Sequence, residues 1–185
     1  MQEKTRLRAD ARRNRDAILA AARTVFDSAE ELRFDDFAAR AGVGVGTLYR
    51  HFPTREALAA AVYQGEVAAL CERARDSSLP PGDALAAFLR EFADYIVTHG
   101  ALARTFSALV DPVIQSDGGN ELERTVGDLI ARAASAGAIR ADATTGPVMI
   151  ALHGIGSAID RPNWASDSRA VAELLIDGLV SGRSG

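Results

Sequence analysis

Four side chains able to hydrogen-bond phosphate oxygens and base edges fall within five residues: Thr47, Tyr49, Arg50 and His51. Leu48 and Phe52, four apart, share the opposite helical face and point inward together. A short helix from Val45 to Phe52, led by Gly44, Val45 and Gly46, would therefore turn a polar, aromatic face outward. A helix that only meets water rarely carries Tyr and His on that side. The chemistry of this group is hydrogen bonding and charge pairing.

The neighbouring elements supply a frame for it. Phe37, Ala38 and Ala41 mark one face of a preceding helix, Phe34 to Ala41, and Gly42 sits where that helix must end in a left-handed turn. Two short helices joined by a glycine-bearing turn over residues 34–52 form a helix-turn-helix, whose second helix enters the major groove of DNA. An earlier helix, about Arg12 to Ser28, buries Ile18, Ala22, Val25 and Phe26 on one side. Arg33 stands just ahead of the unit. Beyond Phe52, Pro53 closes the second helix, Thr54 caps a new long one, and Glu56 suits its first turn. Arg55 lies where a phosphate could meet both its side chain and that helix N-terminus. Residues 1–11 lack an apolar stripe and read as a flexible basic arm. With Arg12 and Arg13 the arm either meets phosphates or is merely a solvated terminus.

Charge is unevenly placed. The 185 residues carry a net charge of −4, but residues 1–58 hold 11 Lys/Arg against 9 Asp/Glu, whereas residues 59–185 hold 10 against 16. An acidic body with a basic front concentrates attraction for phosphate at one end. Apolar residues make up 48% and charged residues 25%, ordinary values for a globular protein. Cys71 is alone, which excludes an internal disulfide and suits a reducing compartment. No run approaches a membrane span and no apolar signal core opens the chain, so the expected location is the cytoplasm and no membrane partner is expected. His99 and His153 have no ligand-spaced neighbours, and GVGVG lies between helices rather than after a strand. Neither an enzyme, a metal site nor a cofactor is indicated.

The run FAARAGVGVGTLYRHFPTREAL behind one helix resembles the DNA-binding domain of the TetR (tetracycline repressor) family over roughly residues 12–60. Three positions depart from the family pattern: Gly44 replaces a Ser or Thr, Arg55 replaces a Lys, and SAEELRF lacks a Gly. The resemblance implies an all-α chain of about nine helices, with a three-helix helix-turn-helix domain followed by a larger ligand-binding and dimerisation domain at residues 61–185. It implies a homodimer, paired through the last two helices, that binds a palindromic operator in double-stranded DNA. Such a regulator, most often a repressor, is released by an unidentified small apolar or amphipathic effector. DNA contacts are then expected from Arg12, Arg13, Arg33, Gly44, Val45, Gly46, Thr47, Tyr49, Arg50, His51 and Arg55.

Helical spacing continues through the body: Asp83 to His99, a short segment Ala101 to Val110, a helix from Asn120 to Gly137 after the loop QSDGG, one carrying Pro147 to Ile159, and a last one from Ser166 to Val180. Candidate pocket residues are Phe88, Phe92, Tyr95, Phe106, Met149, His153 and Trp164, though each taken singly reads first as plain core. Gly154, Gly156, Ser157 and Ala158 would let helices approach closely, either between subunits or within one. The alternative from another class is a helical ligand-binding protein whose DNA unit has lapsed, and Gly44 is its support.

Overall fold

The first helix has no breaker between Gln2 and Ser28, and it runs that whole length (α1). This computed structural model describes residues 2–28, 32–100 and 117–180. Residues 2–11 are therefore helical rather than a flexible arm. Arg and Ala are good helix formers, and Asp10 with Arg13 and Arg12 with Asp16 pair across single turns, the latter at 3.9 Å.

Seven further helices follow among the described residues: α2 Asp36–Arg40, α3 Val45–His51, α4 Arg55–Arg75, α5 Pro81–Thr98, α6 Asp117–Ser135, α7 Thr145–Ser157 and α8 Trp164–Val180. No strand occurs among them. The all-α expectation holds, and the predicted short helix at Ala101 to Val110 lies outside the described residues. Some ends differ from the sequence reading. α6 starts three residues before Asn120, taking in part of the QSDGG loop. α5 starts at Pro81, since proline is accommodated in a first turn.

The chain divides into two units, residues 1–63 and 64–185, with the boundary inside α4. In the first, Ile18, Ala22, Val25 and Phe26 of α1 meet Phe37 and Ala38 of α2, Leu48 of α3, and Phe52, Leu58 and Val62, all buried. Phe26 and Phe37 lie 5.7 Å apart between ring centres. In the second unit α5 is central, packing against α6, α7 and α8. Its Leu85, Phe88, Leu89, Phe92 and Ile96 are buried, as the helical spacing requires. Exposed ion pairs run between its helices, among them Arg73–Glu91 at 2.6 Å and Arg90–Glu173 at 2.7 Å. Exposed pairs of this kind contribute about 0–1 kcal/mol each.

Candidate nucleic-acid interface

The turn between α2 and α3 is fixed by its backbone. Val43 N–H donates to the Ala38 carbonyl at 2.9 Å and Gly42 N–H to that of Ala39 at 3.1 Å, while Gly42 takes φ +67°. This is a Schellman ending, and it needs a residue tolerant of positive φ at position 42. The chain then extends through Gly44, which caps α3 with backbone alone: its carbonyl accepts from Thr47 N–H at 2.8 Å and from Leu48 N–H at 3.2 Å. Replacing the family's Ser or Thr by Gly44 thus leaves α3 formed.

Helix α3 is buried only through Leu48. Val45 and Tyr49 are each 45% exposed, Arg50 is exposed, and Thr47 and His51 are half-buried. Tyr49, Arg50 and Thr47 hold hydrogen bonds within the protein. Tyr49 donates its hydroxyl proton to Asp35 Oδ1 at 2.9 Å and sets its ring edge-on to Phe34 at 5.3 Å. That hydrogen bond, with partial burial and the carboxylate charge, holds the phenol above its ordinary pKa. Arg50 donates from Nε to the Gly46 carbonyl at 3.0 Å and from Nη2 to Thr47 Oγ1 at 3.1 Å. The His51 ring tilts against Phe52 at 6.3 Å.

Arg55 departs from this exposed group. Its guanidinium sits over the rings of Phe26, at 5.6 Å, and Phe37, at 5.3 Å, and donates to the Leu32 carbonyl. It braces α4 against the α1–α2 aromatic cluster instead of standing open at a helix N-terminus. The cap itself is as read from the sequence, with Ala57 N–H donating to Thr54 Oγ1 at 3.1 Å. Arg12, Arg13 and Arg33 are exposed. Sequence reasoning missed Phe34 and Asp35 as partners of Tyr49, and Arg15, whose guanidinium lies 5.5 Å from the Phe52 ring centre. The run FDDF gave no local sign of a contact fourteen residues away.

The expected pocket residues separate in the second unit. Phe88, Phe92 and Met149 are buried, with Phe88 and Phe92 rings 6.3 Å apart. Tyr95 and Trp164 are half-buried, His153 is exposed, and Phe106 lies outside the described residues. The Trp164 indole already donates to the Ile155 carbonyl at 2.6 Å. A cleft of about 390 Å³, lined by Arg140, Thr144, Val148, Leu174 and Leu179 among others, includes none of these seven. Cys71 is fully buried, and that burial pushes its thiol pKa up. Among the described residues no group of three His, Cys, Asp or Glu could hold a metal ion, and no helix is long and apolar enough to cross a membrane.

Comparison with known proteins agrees with this architecture in both units. Residues 18–62 match the family described as bacterial regulatory proteins, tetR family, and residues 80–181 match the C-terminal domain of SbtR-like transcriptional regulators. No curated protein matches the chain. Among solved structures, the TetR transcriptional regulator SCO0520 from Streptomyces coelicolor is 39% identical, with 90% of this chain and 98% of that one covered and a TM-score of 0.64. A TetR regulatory protein from Mycobacterium vanbaalenii is 32% identical, with 94% and 99% covered and a TM-score of 0.64. RolR in complex with resorcinol, at 16% identity, 95% coverage of both chains and a TM-score of 0.67, shares the fold. With a helix-turn-helix at its front and a matching helical body behind it, the chain belongs to the TetR family of transcriptional regulators.

Proposed function

We propose that this regulator is a homodimeric repressor that binds a palindromic operator and is released by a small apolar or amphipathic effector. The observation that carries the reading is the outer face of α3, where Val45, Tyr49 and Arg50 are exposed on a helix buried only through Leu48. Val45, Thr47, Tyr49, Arg50 and His51 face the DNA, with Gly44 and Gly46 in backbone contact and Arg12, Arg13 and Arg33 toward flanking phosphates. Arg55 holds the unit together from inside. Dimerisation through α7 and α8 is supported by Ile150 and Leu174, 74% and 70% exposed, and by the open space beside Gly154 and Gly156. Isolated large apolar side chains on adjacent helices, with two glycines that no described residue crowds, suit a twofold helix pairing.

We propose an effector pocket beside Phe88, Phe92, Tyr95 and Met149 in the apolar interior of the second unit, with His153, Trp164 and Phe106 kept as candidates. RolR, of the same fold, holds resorcinol, a small amphipathic ring. An effector acts by binding one of two global states better, so its affinity and that for DNA are reciprocally coupled.

The test is selection of bound duplexes from a random library by the full chain, followed by affinity measurement on the enriched sequence. A palindromic site should emerge, and log affinity should fall linearly with log salt as phosphate contacts release counterions. A library that stays unenriched would overturn this reading in favour of a helical ligand-binding protein.

A further inference from the structure

Three polar side chains of α3 are already engaged: Thr47 Oγ1 and the Gly46 carbonyl accept from Arg50, and the Tyr49 hydroxyl donates to Asp35. Val45 differs from all of them. It is the first residue of the helix, it is 45% exposed, and its side chain is wholly apolar. Its flanking residues, Gly44 and Gly46, carry no side chain, and a Cβ placed on either would meet nothing within 4 Å. Folding gives no account of such a residue there. A β-branched side chain is a modest helix former, and nearly half of this one stays open to solvent.

We infer that Val45 reads a thymine in each half-site, its methyl groups packing on the thymine C5-methyl in the major groove. This rests on the DNA-binding reading above and adds a base identity to it. The thymine methyl is the one apolar mark on the major-groove edge, and it is read by apolar contact rather than hydrogen bonding. Bare glycines on both sides let that contact form without a neighbouring side chain standing between helix and base. Residues toward the N-terminal end of a groove-docked second helix are those that reach base edges.

The experiment uses the enriched duplex from the selection described above. Each thymine is replaced in turn by deoxyuridine, which removes only the C5-methyl, and affinity is measured by fluorescence anisotropy with the wild-type chain and with Val45→Ala. One symmetry-related thymine position should lose about fourfold in affinity per half-site on methyl removal, the factor carried by one buried methyl group. In Val45→Ala the same replacement should change affinity by less than half of that factor, while effects at other thymines stay as in wild type. An unchanged melting temperature for Val45→Ala, measured alongside, keeps the comparison between folded proteins. The inference is overturned if no thymine is sensitive, if the half-site holds no thymine, or if the sensitive one remains equally sensitive in Val45→Ala. An unenriched library overturns the DNA-binding reading itself, a result distinct from these three.

Discussion

At the scale of single residues, the Tyr49–Asp35 pair sets the terms on which the proposed interface would meet phosphate. The hydroxyl is donated to Asp35 at 2.9 Å, so a phosphate oxygen can take that proton only in place of the carboxylate. Asp35 is exposed and brings a negative charge close to the face proposed to meet DNA. Asp35→Asn keeps a carbonyl acceptor for Tyr49 but removes the charge and weakens the hold on the hydroxyl. Operator affinity should therefore rise severalfold at low salt, and the gain should shrink as salt screens the lost repulsion. Anisotropy titrations at two ionic strengths check this; equal or weaker binding at low salt would show that Asp35 organises Tyr49 productively. The sequence offered Tyr49, Thr47, Arg50 and His51 by type and spacing. It did not offer Asp35, because the pairing depends on how the α2–α3 turn folds back.

At the scale of elements, Arg55 decides how α4 leaves the helix-turn-helix. Read from the sequence, a cation at a helix start suggests a phosphate ligand. In the structure its guanidinium covers Phe26 and Phe37 and donates to the Leu32 carbonyl, so it joins α1, the residues before α2, and α4. Two cation–π contacts and a charged hydrogen bond, partly shielded from water, are together worth about 2 kcal/mol. Arg55→Ala should lower the stability of the first unit by about that amount. Arg55→Lys should recover only part of it, since an ammonium has no planar face to lay on two rings. Denaturant melts followed by helical circular dichroism measure the loss. A variant that weakens DNA binding with no change in melting would return Arg55 to the phosphate-contacting set. The length of α1 makes a related point. A missing apolar stripe in residues 2–11 suggested a free arm, yet helix propensity and Asp–Arg pairs one turn apart carry the helix through without one.

At the scale of the whole molecule, the proposed function needs two copies, and the second unit has a face fit for that. Ile150 on α7 and Leu174 on α8 are the two most exposed large apolar side chains among the described residues. Ile150→Asp combined with Leu174→Asp should yield a monomer of unchanged helical content on size-exclusion chromatography. Operator affinity should drop by at least a hundredfold, because each half-site is then bound alone. A double variant that still elutes as a dimer would move the pairing to another surface. Much of this protein was legible in its sequence by itself: the all-α class, the glycine-ended α2, the inward Leu48 and Phe52, the Thr54 cap and the buried stripe of α5. Each of these depends on periodicity and on backbone bonds spanning a few residues, which are local and therefore written in order along the chain. Tertiary structure alone decided that Arg55 faces inward, that Tyr49 is held by Asp35, that Trp164 bonds the end of α7, and that Ile150 and Leu174 stay uncovered. Those outcomes depend on which distant side chains meet, and a charge or an aromatic ring looks the same in sequence whether it meets solvent or another helix.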